Sequence, residues 1–163
     1  HYMKPVIIYY SNSGVTEQIA NKIKDVFDCD VVKVEPKVPY GSYIQAVKRA
    51  GSERKNGVIA EYDAPLINLA NIDTIFVGYP IWYSDAPAFL LDYIKKYDLS
   101  GKTVIPFSTS GASNIKGSLK ALQSAVGNAE IKHPYNCGRL FKDNFERWIE
   151  KIRSNPTGEA QSQ

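Results

Sequence analysis

The sequence is short of the residues that carry most catalytic and metal chemistry. Of 163 residues only two are cysteine and two are histidine. Cys29 and Cys137 share neither a metal-ligand spacing nor a secretory context, so they read as reduced thiols, with a disulfide as the lesser alternative. No apolar run approaches a membrane span, and the start of the chain lacks the pattern of a secretory signal. The expectation is a cytoplasmic protein with no membrane role. His133, just ahead of Pro134, has no evident triad partner and is expected to be structural. The phosphate motif G-x-x-x-x-G-K-[ST], the dinucleotide motif G-x-G-x-x-G and the hydrolase elbow G-x-S-x-G are all missing. The loop after the first apolar run has neither a nucleophilic cysteine nor an acidic cluster for magnesium.

Charge of one sign is not in large excess. Twenty Lys and Arg face 17 Asp and Glu, a formal charge of +3. The surplus is local, with Lys37, Lys48, Arg49, Arg54 and Lys55 set against Glu53 and Glu61. That window reads either as a docking face for an anionic partner or as a solvated helix surface. No basic stripe is interleaved with aromatics, so no nucleic-acid partner is expected.

What is present is alternation. Apolar runs predict strands over 5–10, 30–34, 74–79, 103–108 and 130–133, and amphipathic spacing predicts helices over 16–27, 43–54, 87–97, 115–126 and 142–153. Gly51 is expected to interrupt the second helix, and 56–71 to be an irregular connection. The runs Val6-Ile7-Ile8, Ile75-Phe76-Val77 and Val104-Ile105-Pro106-Phe107 suit parallel strands covered on both faces. The whole reads as an α/β, doubly wound, five-stranded parallel sheet in one domain over 4–153, with a disordered polar tail over 154–163.

In such a sheet, ligands sit beyond the carboxyl ends of the strands. After the first strand comes Ser11-Asn12-Ser13-Gly14-Val15-Thr16, which holds hydroxyls, an amide and a glycine but no charge. Feeding into a helix, it could aim free N–H groups at a phosphate; it could also be a plain turn with Ser13 or Thr16 capping the helix. After the third comes Tyr79-Pro80-Ile81-Trp82-Tyr83-Ser84, and after the fourth Ser108-Thr109-Ser110-Gly111-Ala112-Ser113. A ligand with a phosphate at one end and a flat ring at the other would use all three.

These three segments, in this order, resemble the flavodoxin family. The first is similar to its [ST]-x-[ST]-G-x-T phosphate loop, and Pro80-Ile81-Trp82-Tyr83 resembles the second loop of small bacterial flavodoxin-like proteins of the short-chain type, P-I-W-W-G-x-x-P. The resemblance covers roughly residues 4–153 and implies the strand order 2-1-3-4-5 with FMN as cofactor. It implies that Ser11, Asn12, Ser13, Gly14, Val15 and Thr16 cradle the phosphate. Pro80, Ile81, Trp82 and Tyr83 would wall the isoalloxazine. Ser108, Thr109, Ser110, Gly111 and Ser113 would approach its pyrimidine edge or the ribityl chain. No catalytic side chain and no metal are implied, because the ring carries the chemistry.

Two departures stand out. Ser84 occupies a position where that branch has glycine, and the basic balance contrasts with the acidity usual in electron-carrier flavodoxins. Two functions remain open: an electron carrier between redox partner proteins, or an oxidoreductase passing electrons from NAD(P)H to a quinone-like or nitro-type acceptor. A flavin-free binding module is a third reading. Donor, acceptor, redox potential, oligomeric state and any role for Cys137 stay open.

Overall fold

The computed structural model describes residues 3–158. In chain order the elements are β1 (Pro5–Tyr9), α1 (Val15–Phe27), β2 (Asp30–Lys33), β3 (Glu35–Pro36), α2 (Tyr43–Asn56), β4 (Tyr62–Asp63), β5 (Thr74–Pro80) and α3 (Ala88–Lys95). β6 (Thr103–Ser110), a 3₁₀ turn (Ile115–Ser118), α4 (Leu119–Val126), β7 (Glu130–Ile131), β8 (Tyr135–Gly138) and α5 (Phe145–Ser154) follow. The continuously apolar runs form β1, β5 and β6, the buried middle of a parallel sheet. The order is β2-β1-β5-β6, with β7 and β8 both pairing with β6, which is the doubly wound 2-1-3-4-5 arrangement with its fifth strand in two pieces. Chain order reverses between β1 and β5, so a crevice opens beyond their carboxyl ends.

Alternation along the strands sorts side chains to two cores. Val6, Ile8, Ile75, Val77 and Tyr79 face a layer that includes Phe89, Leu90 and Tyr93 of α3 and Leu122 of α4. Ile7, Tyr9, Phe76, Ile105 and Phe107 face Ile19 and Ile23 of α1 and Trp148 and Ile152 of α5. Burying each such side chain contributes about 1.5–3 kcal/mol. Gly78 lies opposite Phe107 in the β5–β6 register, and a Cβ at Gly78 would overlap the Phe107 ring.

Several boundaries differ from expectation, each for a local reason. The strand expected over 130–133 stops at Ile131, because His133 takes φ +50° and Pro134 has no N–H for a ladder; it resumes at Tyr135. The helix expected to break at Gly51 runs unbroken from its Ser42 capping box to Gly57, which caps it at φ +64°. The helix expected from residue 142 begins at Phe145 because Asn144 caps it, while Lys142 bridges to Cys137. The helix expected over 115–126 opens with the 3₁₀ turn, where Ser118 Oγ donates to the Ile115 carbonyl. Within the connection expected to be irregular, β4 pairs antiparallel with β3.

Both cysteines are free, and burial pushes the Cys29 thiol up to about 11, which keeps it protonated. Among the described residues no helix is long and apolar enough to cross a membrane. Of the tail expected over 154–163, residue 154 ends α5 and the Asn155 carbonyl lies 2.6 Å from His133 Nε2; residues 159–163 lie outside the described residues.

Gly78→Ala is expected to cost about 1–3 kcal/mol by overpacking the Phe107 ring. Urea denaturation should show a lower midpoint at unchanged slope; an unchanged midpoint would contradict this packing.

Candidate functional site

The loops after β1, β5 and β6 meet at one rim. Thr16 Oγ1 and Thr109 Oγ1 share a buried hydrogen bond of 2.8 Å, tying the first loop to the third. The Ile81 N–H donates to the Thr109 carbonyl at 3.0 Å, tying the second to the third. Between them lies a pocket of about 470 Å³. Asn12, Ser13 and Val15 line it from the first loop, Pro80, Ile81 and Trp82 from the second, and Thr109, Ser110, Gly111 and Ser113 from the third. Gly41, Ser42, Tyr43, Ala112 and Cys137 complete the lining, and no charged side chain takes part.

Five expected residues do not line the pocket. Ser11 shapes the loop from beneath, its Oγ accepting the Gly14 N–H at 3.1 Å. Gly14 supplies the turn at φ +96°. Thr16 and Ser108 are buried, Thr16 in its bond to Thr109. Tyr83 turns away towards α2, where its hydroxyl donates to the Val47 carbonyl at 3.0 Å.

The first loop ends in a helix with no side-chain cap. The first intrahelical bond of α1 runs from the Gln18 N–H to the Gly14 carbonyl, 3.1 Å, and Gly14 offers no side chain to the amides that follow it. The amides of Val15, Thr16 and Glu17 therefore have no acceptor within their own helix. By contrast Ser42 caps α2 and Asn144 caps α5. The alternative of a Ser13 or Thr16 cap is thus not what the chain adopts. An uncharged loop around an uncapped helix start is chemically suited to a phosphate dianion.

The second loop supplies an aromatic wall backed from behind. Trp82 is only 6% exposed, its ring 4.8 Å from that of Tyr40 and 5.6 Å from that of Tyr10 between centroids. Burial pushes the phenols of Tyr10 and Tyr40 well above their usual range, and at Tyr40 the hydrogen bond to Glu53 adds to this, so both stay neutral. The Tyr10 hydroxyl also donates to Asn12 Oδ1 at 3.0 Å, joining this cluster to the first loop.

Beyond Trp82 the chain makes a two-residue hairpin turn. Trp82 and Asp85 exchange backbone hydrogen bonds of 2.9 and 3.1 Å, and Tyr83 and Ser84 both take positive φ, +53° and +68°. Such a turn favours glycine or asparagine, and each L-residue there costs roughly 1–2 kcal/mol. Arg54 offsets part of that cost, donating to the Tyr83 carbonyl at 3.2 Å and to Asp85 Oδ2 at 2.9 Å. Gly51 explains why Tyr83 lies where it does: a Cβ there would sit 2.9 Å from Tyr83 Cζ. The helix carries its glycine to seat this ring.

The sequence model of the flavodoxin family matches residues 4–152. The chain belongs to the flavodoxin family. Among solved structures it is similar to a candidate flavoprotein of Bacteroides uniformis, 28% identical with a TM-score of 0.78, covering 93% of this chain and all of that one (100%). A candidate flavoprotein of Bacteroides eggerthii is 27% identical with a TM-score of 0.76, covering 94% of this chain and 98% of that. A flavoprotein of Lactobacillus acidophilus, solved in complex with FMN, shares the fold at 22% identity and a TM-score of 0.71, covering 92% of this chain and 98% of that. A search of curated proteins gave no match. As in any flavodoxin fold, the rim lies where the strand order reverses. Sequence reasoning missed the stretch Gly41-Ser42-Tyr43, although the Ser42-x-x-Gln45 capping box that places it is legible in the chain.

A double-mutant cycle tests the Gly51–Tyr83 contact. Gly51→Ala should gain about 1 kcal/mol of helix stability in a Tyr83→Ala background and lose most of that gain beside the native tyrosine. Equal gains in both backgrounds would contradict the contact.

Proposed function

We propose that residues 4–153 form one FMN-binding unit of the small, short-chain flavodoxin type, and that it carries electrons between redox partner proteins. The observation that carries this reading is the uncapped start of α1. It opens beside an uncharged pocket whose other walls are Trp82 and the backbone of 109–113. The residues fit the group. Ser13 and the amides after Gly14 would hold the phosphate, each bond worth about 1.5–3 kcal/mol, while Asn12 would fix the loop through its bonds to Tyr10 and Gly41.

FMN, when bound, supplies the redox chemistry on its ring. The chain's part is to bind and orient it. Pro80, Ile81 and Trp82 would wall the ring, with Tyr10 and Tyr40 preventing Trp82 from receding. Thr109, Ser110, Gly111 and Ser113 would offer backbone and hydroxyl groups to its polar edge, and Ser110 is preset by donating to the Ser113 carbonyl at 2.7 Å. Ser11, Gly14, Thr16 and Ser108 would act beneath the pocket by setting loop shape, and Tyr83 by anchoring the turn. Free thiols at Cys29 and Cys137 suit a reducing compartment such as the cytoplasm.

Ser13→Asp should weaken FMN at least about tenfold by setting a carboxylate against the phosphate; unchanged affinity would remove the phosphate assignment. For the carrier role, the flavin-loaded protein is mixed with NADPH under anaerobic conditions. A carrier keeps its visible flavin bands until a reductase is added. Rapid bleaching by NADPH alone would instead assign an NAD(P)H-dependent oxidoreductase.

A further inference from the structure

A second cleft runs along the outer edge of the fifth strand, between the 3₁₀ turn and the start of α5. It encloses about 720 Å³ and shares no lining residue with the rim pocket. The two are nonetheless neighbours: Asn114 and Asn136 of the cleft are next in the chain to Ser113 and Cys137 of the pocket. Lys116, Lys142, Arg147 and Lys151 line the cleft, with Asp143 its single carboxylate.

The charges there lack compensation. Asp143 Oδ2 is already engaged, accepting the Asn136 backbone N–H at 2.9 Å and its side-chain amide at 3.2 Å. Among the described residues none of the four cations takes part in an ion pair. Arg147 and Lys151 sit one helical turn apart, a spacing at which like charges repel. Arg147 also lies in the first turn of α5, where a cation opposes the helix dipole. Glu146 and Glu150 share the helix, Glu150 three residues after Arg147, yet neither forms an ion pair with Arg147 or Lys151. Lys116 approaches from a different element and Lys142 from the segment before α5, so the cluster is not a property of one helix face. Four cations thus converge on one concave surface whose lining holds a single carboxylate.

We propose that this cleft binds a small phosphorylated anion, at a site separate from the rim pocket. The planar guanidinium of Arg147 can engage two phosphate oxygens at once, and the three lysines add mobile point charges. A single carboxylate would leave most of that charge unanswered. The volume suits a ligand of nucleotide size. At the far wall the His133 Nε2–H donates to the Asn155 carbonyl at 2.6 Å. Two sources carry this chemistry: a free phosphoanion, or the phosphate arm of a pyridine nucleotide whose other end reaches the rim. The second source rests on the flavin reading above; the site itself does not.

The test is an NMR titration of the full chain, soaked with FMN and desalted, at low ionic strength. Sodium pyrophosphate, NADPH and NADH are the probes. Saturable amide shifts over 114–116 and 142–151 are expected with pyrophosphate and NADPH, weakening as salt is added. The double change Arg147→Glu, Lys151→Glu should weaken pyrophosphate at least about tenfold. Lys116→Glu, on a separate element, should weaken it in the same direction and serves if the double variant fails to fold. Neither set should alter FMN retention, whereas Ser13→Asp should lose FMN and keep pyrophosphate binding, which separates failure of this site from failure of the flavin reading. NADPH binding tighter than both pyrophosphate and NADH, with further shifts over 109–113, assigns a pyridine nucleotide. Equal affinities with shifts confined to the cleft assign a free phosphoanion. No saturable shift in the cleft, or affinity unchanged by both charge reversals, overturns the proposal.

Discussion

At the first crossover the chain passes from a fully buried strand into a helix whose first amides have no acceptor of their own. The nearby Ser11 Oγ accepts the Gly14 N–H and none of α1's own. Leaving polar groups of a helix start without partners is costly unless solvent or a ligand meets them. The rest of the rim is arranged around that opening. The Thr16–Thr109 bond and the Ile81–Thr109 bond bring the second and third loops to it, and Tyr10 pins Asn12 at its side. The parallel sheet makes this possible, because strands covered on both faces leave their carboxyl ends as the place where polar backbone can gather.

The aromatic side of the rim follows a different logic. Trp82 reaches the pocket from within the core, so its position is set by Tyr10 and Tyr40, both packed on Phe89, rather than by solvent. The turn that follows carries two L-residues in the left-handed region, held by Arg54 and by the Tyr83 ring over Gly51. A loop held in this way has less freedom to rearrange than one built on glycine. The basic window noted in the sequence is in part this clamp: Arg54 and Arg49 both act within the fold, Arg49 through Glu53 and over the Tyr40 ring. Another group of cations, Lys116, Lys142, Arg147 and Lys151, without ion-pair partners among the described residues, converges at the cleft beside α5.

Much of this was legible in the chain. The parallel sheet followed from three continuous apolar runs and the alternation around them, its strand order from the family resemblance, and the three rim loops from what trails each strand. Side-chain direction was not legible. Tyr83 follows Trp82 in sequence, yet the positive φ at Tyr83 and Ser84 turns it to the opposite side, and a left-handed pair without glycine leaves little sequence signal. Gly51 looked like a helix breaker because the ring that needs it lies about thirty residues on and in contact only through the fold. The cleft at α5 was equally hidden, since Lys116 and Lys151 come together only across the sheet edge.

On the reading proposed above, the start of α1 would bind the phosphate of FMN, with the ring held further along the rim. It is tested most directly by comparing the dissociation constants of FMN and riboflavin, which share the ring and ribityl chain and differ in the phosphate, by quenching of flavin fluorescence. FMN is expected to bind at least about a hundredfold more tightly, the effect of two or more charge-assisted hydrogen bonds. Equal affinities would contradict it, because the uncapped helix would then contribute nothing to recognition.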